Sequence, residues 1–142
     1  MFNTISQALE NFSQHQIRKP HTLTKELIDE DVTIAYIDIE SEDKKQYRVY
    51  IASDKKFLQT VTTIFLEEEN SDKETLQDML LELANLVVGS AKVIAQNSDV
   101  TNFNIKTPIL LEKDRFDVEY DAFYTLKVGD EKVTVAIKEL NE

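Results

Sequence analysis

Val32 to Glu40 reads VTIAYIDIE, a run rich in β-branched residues and apolar on both parities. Successive side chains of a strand point to opposite faces, so a strand of this composition has to be covered on both sides. The run that follows, QYRVYIA, alternates instead and puts Tyr47, Val49 and Ile51 on one face, with SEDKK as the turn between the two. Together they predict a hairpin. A second hairpin is predicted from DAFYTLKV and EKVTVAIK, joined at Gly129 and Asp130 by a turn of the tight type. FNIKTPILL, Phe103 to Leu111, alternates as well, and Pro108 within it marks a sheet edge or a bulge because it cannot donate to a ladder.

Between these runs the spacing of apolar residues becomes helical. Phe2, Ile5, Leu9 and Phe12 form one stripe, and Pro20 in RKPHT ends that helix. Phe57, Val61, Ile64 and Phe65 share the face of a second helix, and the charged run from Glu67 to Asp72 is a connector. Ser71 and Glu74 have the spacing of a capping box and announce a long third helix reaching Gln96. The order helix, two strands, two helices, three strands predicts an α+β fold, with long helices packed on an antiparallel-rich β-sheet.

A chain of 142 residues suits one domain and can bury one core without staples. It has no cysteine, which excludes disulfides, thiolate catalysis and cysteine-ligated zinc. Two histidines, His15 and His21, leave no histidine-rich metal site, and no metal is expected on this chain. Sixteen basic against 27 acidic residues give a net charge of −11, a field that opposes phosphate backbones and anionic membranes. Neither nucleic acid nor membrane is an expected partner. The beginning, MFNTISQALENFSQHQ, lacks the basic and apolar segments of a secretory signal, and no run approaches the ~20 apolar residues of a membrane span. A cytoplasmic protein is the expectation.

The stretch DMLLELANLVVGS, Asp78 to Ser90, carries the chemistry. On a wheel of about 100° per residue, Leu76, Leu80, Leu83, Val87 and Ile94 gather on the core side. Asp78, Glu82, Asn85, Gly89, Lys92 and Gln96 form a narrow stripe opposite. Any amphipathic helix has a wet face, but two residues here are unusual for one. Asparagine is a mediocre helix former because its amide competes for backbone bonds. Gly89, one turn further on, disfavours the helix by ~1 kcal/mol against alanine and leaves a notch where another molecule's backbone fits closely. The stripe reads as a docking surface with a protruding amide.

Asp78, Glu82 and Asn85 at these spacings, followed by Pro108, resemble the signature of the CheC/CheX/FliY family of chemotaxis phosphatases. ELANLVVGSAK with IKTPILL after it resembles the CheX branch. The likeness spans residues 78–108. It implies a CheC/CheX-like fold and one CheX-like domain over residues 1–142. The first helix has Glu10 followed three places later by Ser13 and lacks the amide, which implies a single site, as in CheX.

The resemblance implies hydrolysis of the aspartyl phosphate on a CheY-like response regulator. Asn85 and Glu82 would be the catalytic pair, Asp78 and Gly89 the partner-binding residues, and Mg²⁺ would reside on the regulator. A homodimer is also compatible. An acyl phosphate is already activated, so what remains is to hold a water in line with phosphorus, which is a matter of positioning and electrostatics. A carboxamide suits this, because its oxygen accepts from water while its NH₂ donates to a phosphoryl oxygen. Glu82, about one turn away, would pair with the regulator's lysine. Two other readings share the stripe: a module that binds the receiver without catalysis, and a scaffold dimer in which the stripe is only a wet face.

Overall fold

Both hairpins form, and they become the centre of one sheet. The computed structural model describes residues 1–98 and 102–140. Among the described residues seven strands pair: β1 (Thr22–Thr24), β2 (Thr33–Ser41), β3 (Gln46–Ser53), β4 (Phe103–Ile105), β5 (Ile109–Leu111), β6 (Ala122–Val128) and β7 (Glu131–Leu140). Their order is β1-β6-β7-β3-β2-β4, with β5 also on β2, and every pairing is antiparallel. The turn between β6 and β7 holds Gly129 at φ 62, where a Cβ would be strained.

Register decides which residues meet the helices. Ile37 lies opposite Val49, and Val49 opposite Ile137, so the odd-numbered residues of β2, β3 and β7 share one face. Ala35, Ile37, Ile39, Val49, Ile51, Val133 and Val135 are buried there against α1 (Phe2–Phe12), α2 (Lys55–Leu66) and α3 (Lys73–Gln96). Ile5 and Leu9 enter from α1, Phe57 and Val61 from α2, and Leu76, Leu80, Leu83 and Val87 from α3. Each fully buried leucine or isoleucine contributes roughly 1.5–3 kcal/mol of transfer free energy. This core fixes how α3 lies on the sheet.

The opposite face is covered too, as VTIAYIDIE requires, but not by helices. Ile34, Tyr36, Tyr50, Ala52 and Ala136 point that way and are capped by Ile28, Val32, Phe116, Val118 and Tyr120. The segment carrying the last three, FDVEY, alternates half-buried with exposed residues although it pairs with no strand of the sheet. Arg48 closes one end of this layer, with its guanidinium 4.1 Å from the Tyr36 ring centre and both Asp38 oxygens accepting from it across the strand pair.

Four expectations need correction. The cap of α3 is Asp72, whose carboxylate accepts from the Thr75 amide at 2.8 Å; Ser71 is taken up by the Gln59 side chain instead. Aspartate and serine are equally good caps, so the spacing to Glu74 misplaced the boundary by one residue. FNIKTPILL is two strands, β4 and β5, because Pro108 breaks the pairing with β2. Ile64 is 40% exposed, and Leu58 and Thr62 fill the core from α2 in its place. Helical chain runs on from α1 through a π-helical turn, Ser13–Ile17, and ends at Arg18, within RKPHT as expected; the short edge strand β1 that follows was not expected, having no apolar alternation to announce it.

Candidate functional site

α3 is a 24-residue helix with one face in the core, so its opposite face stands outward by necessity. Its first turn is secured by Asp72, whose carboxyl is held below the usual aspartate value of 3.8 by hydrogen bonds from Thr75. Asp78, Glu82 and Asn85 are all exposed and lie on one side, at steps of four and three. Residues three apart on a helix have Cβ atoms about 5–6 Å from each other, so Glu82 and Asn85 act on one small volume. Among the described residues, no group hydrogen-bonds to the ends of Asp78, Glu82 or Asn85; the bonds made by the flanking α3 residues run from Thr75 and from Lys92. The carboxylate and the amide are therefore free to meet a visitor.

Gly89 follows one turn beyond Asn85. A methyl group placed on it would meet nothing within 4 Å among the described residues, so no packing seen there calls for glycine. The other glycine, Gly129, is required by its turn. Gly89 therefore bears a helix penalty of ~1 kcal/mol with no internal cause.

Lys92 departs from a simple surface role. It is half-buried, its Nζ donates to the Phe103 carbonyl at the start of β4, and its ammonium lies 5.9 Å from the Phe103 ring centre. It seals the seam between α3 and the sheet edge. Pro108 sits half-buried in the gap between β4 and β5, an edge position as its missing N–H suggested.

On the other flank of the stripe lies a feature that the sequence concealed. Leu86 is 39% exposed and Val93 53% exposed, on the side of α3 that faces α1. Beside Leu86 a groove of about 260 Å³ runs between the helices, lined by Phe12, Phe65, His15 and Ser90 among others. In the run NLVV all three residues after Asn85 are plausible core residues, and only the angle of ~100° from Asn85 distinguishes Leu86.

The first helix offers no second polar site. Glu10 is held by His21, with Oε2 and Nε2 3.0 Å apart, and Ser13 is fully buried at the start of the π-helical turn. Among the described residues no group of three or more His, Cys, Asp or Glu is placed to hold a metal ion. No described helix is long and apolar enough to cross a membrane.

Four well-formed hollows on the described surface are lined by residues other than Asp78, Glu82 and Asn85. Small-molecule sites are concave, whereas this face is convex and suits the surface of another macromolecule. Fold and face together define a helix-on-sheet protein with a carboxylate and a carboxamide exposed side by side on its long helix. The family described as "Chemotaxis phosphatase CheX" matches residues 34–137, and the chain belongs to that family. No curated protein is similar in sequence to the chain.

Solved structures agree in fold. Chemotaxis protein CheX from Vibrio vulnificus superposes with a TM-score of 0.79 at 19% identity, covering 97% of both chains. A chemotactic CheC-like protein from Shewanella oneidensis gives 0.79 at 17% identity, covering 97% of this chain and 96% of its own. The Borrelia burgdorferi protein crystallised as a CheX–CheY–BeF3–Mg²⁺ complex gives 0.70 at 14% identity, again over 97% of both chains.

Proposed function

We propose that this chain is a phosphatase acting on the aspartyl phosphate of a CheY-like response regulator in chemotaxis or two-component signalling. The observation that carries the reading is the pairing of Glu82 and Asn85, exposed and without hydrogen-bond partners among the described residues, on a helix whose other face is the core. Family membership and the fold shared with a CheX in complex with CheY support it.

In this reading the regulator supplies the phosphoryl group, the Mg²⁺ and the lysine that balance its charge. Asn85 supplies order. Its side-chain oxygen accepts a hydrogen bond from a water and its NH₂ donates to a phosphoryl oxygen, which aligns the water with phosphorus. An amide is no base at neutral pH, so the proton leaves by way of the phosphate or solvent. Glu82 pairs with the regulator's lysine, fixing register and disfavouring partners without that cation. Asp78 extends the acidic stripe toward the same partner, and Gly89 lets its backbone come close. A single CheX-like domain over residues 1–142, working in the cytoplasm, completes the proposal.

The test is phosphate release from a phosphorylated receiver domain. Asn85→Ala should slow it by roughly 10²–10³-fold, the usual effect of removing one aligned polar group from a transition state, with the fold intact. Glu82→Lys should chiefly weaken binding. If wild-type protein leaves the decay of the phosphorylated receiver unchanged, the chain is not its phosphatase.

A further inference from the structure

The two flanks of the Asn85 face differ. Toward β4 the surface is closed: Val88 is 2% exposed, and Lys92 is tied to the Phe103 carbonyl. Toward α1 it is open and apolar, with Leu86 standing beside the groove and Val93 exposed two turns further along α3. Phe12 and Phe65, which line the groove, pack edge to face with ring centres 5.9 Å apart. Its volume of about 260 Å³ is several times the roughly 30 Å³ share of one water. Asn11, His15, Gln16 and Ser90 border it, and none of these is an acid.

We infer that this groove, with Leu86 at its lip, is where the receiver domain lodges an apolar side chain, and that Leu86 governs affinity for the regulator while Asn85 governs turnover. The inference rests on the phosphatase reading and adds the anchoring contact to it. Geometry ties the two places together. A specific interface covers about 800 Å² per partner, a disc of roughly 16 Å radius. Leu86 is the neighbour of Asn85, and Ser90 lies about 7.5 Å further along the axis at 1.5 Å per residue. A domain that brings its phosphoaspartate to Asn85 therefore covers the groove. Charge points the same way. A partner bearing a phosphoryl anion gains nothing from the overall field of a chain with net charge −11, so local contacts have to hold it. A few buried anchors dominate such interfaces, and an apolar side chain seated on this groove would be one.

The experiment is steady-state dephosphorylation of a phosphorylated receiver by the full chain, comparing Leu86→Glu, Leu86→Met and Asn85→Ala, with thermal melts of each. Leu86→Glu is expected to raise KM roughly tenfold or more, as loss of an interface hot spot does, with kcat within about twofold. Leu86→Met should restore KM, and Asn85→Ala should show the opposite split. An unchanged KM in Leu86→Glu alongside a slow Asn85→Ala overturns the groove and leaves the phosphatase standing. If the wild type itself accelerates nothing, affinity for the BeF3-treated receiver decides the groove: weakening by Leu86→Glu supports it, and equal binding refutes it. A Leu86→Glu variant that only converts a dimer to a monomer in sedimentation assigns the groove to a second copy and also overturns the inference.

Discussion

Replacing Gly89 by alanine should make the protein more stable and a poorer phosphatase at once. Gly89 lies inside α3 with helical neighbours on both sides, and an added Cβ meets nothing within 4 Å. The whole difference in helix propensity, about 0.8–1.0 kcal/mol, therefore appears as stability with no clash to offset it. For a domain of this size that is a rise in Tm of about 2–4 °C. The same methyl stands one turn from Asn85, on the face assigned to the receiver's backbone. Displacing a docked partner by about 1 Å misaligns the water and the phosphorus, and misplacements of that size reduce rates by up to ~10²-fold. A thermal melt and a phosphate-release assay on the same preparation measure both effects. A lower Tm would refute the claim that the space around Gly89 is empty. A higher Tm with unaltered kcat/KM would show that no partner approaches there.

Two further outcomes concern residues away from the reacting pair. Lys92→Met removes the hydrogen bond to the Phe103 carbonyl and should lower stability in a denaturant titration by about 1.5–3 kcal/mol, the range for bonds to charged groups. Asp54 is buried at the start of α2, accepting from the Phe57 amide at 2.7 Å and the Lys132 amide at 2.9 Å. Asp54→Ala leaves both donors unmet and should lose roughly 2–3 kcal/mol in a denaturant titration. Burial pushes the Asp54 carboxyl above its usual value of 3.8 despite those two bonds. The fold therefore favours its protonated form. That contribution is full below pH 3.8 and is lost as pH climbs through the raised value. The gap between wild type and Asp54→Ala should accordingly be wider at pH 4 than at pH 7.

The strands and helices were legible because each has a strong period. Val49, Ile51 and their partners across the sheet alternate, and Leu76, Leu80, Leu83 and Val87 recur with the turn of α3. The α+β class followed from element order. Less legible were features with no period of their own. The cover over the second sheet face is built from FDVEY, whose half-buried Phe116, Val118 and Tyr120 sit among acids and pair with no strand. Ser71 was misread as a cap because only the structure shows Gln59 reaching twelve residues along the chain to bind it.

For the candidate face, Asp78, Glu82 and Asn85 were readable as one stripe because helical geometry alone fixes their directions. Leu86 was not, since an apolar residue in an apolar run gives no sign of facing water. The groove beside it depends on where α1 and α2 come to rest, through Phe12 and Phe65, and that is a tertiary fact.

The helix that shows Asn85 to the outside is the one that buries the most residues against the rest of the protein. Its amide thus inherits the rigidity of a tightly filled interior, and presenting it calls for no loop to fold over and no hinge to swing. A tool held this stiffly has little to switch on or off, so the throttle on the proposed reaction belongs to the visitor. How much phosphorylated regulator arrives, and how long it stays, would set the pace.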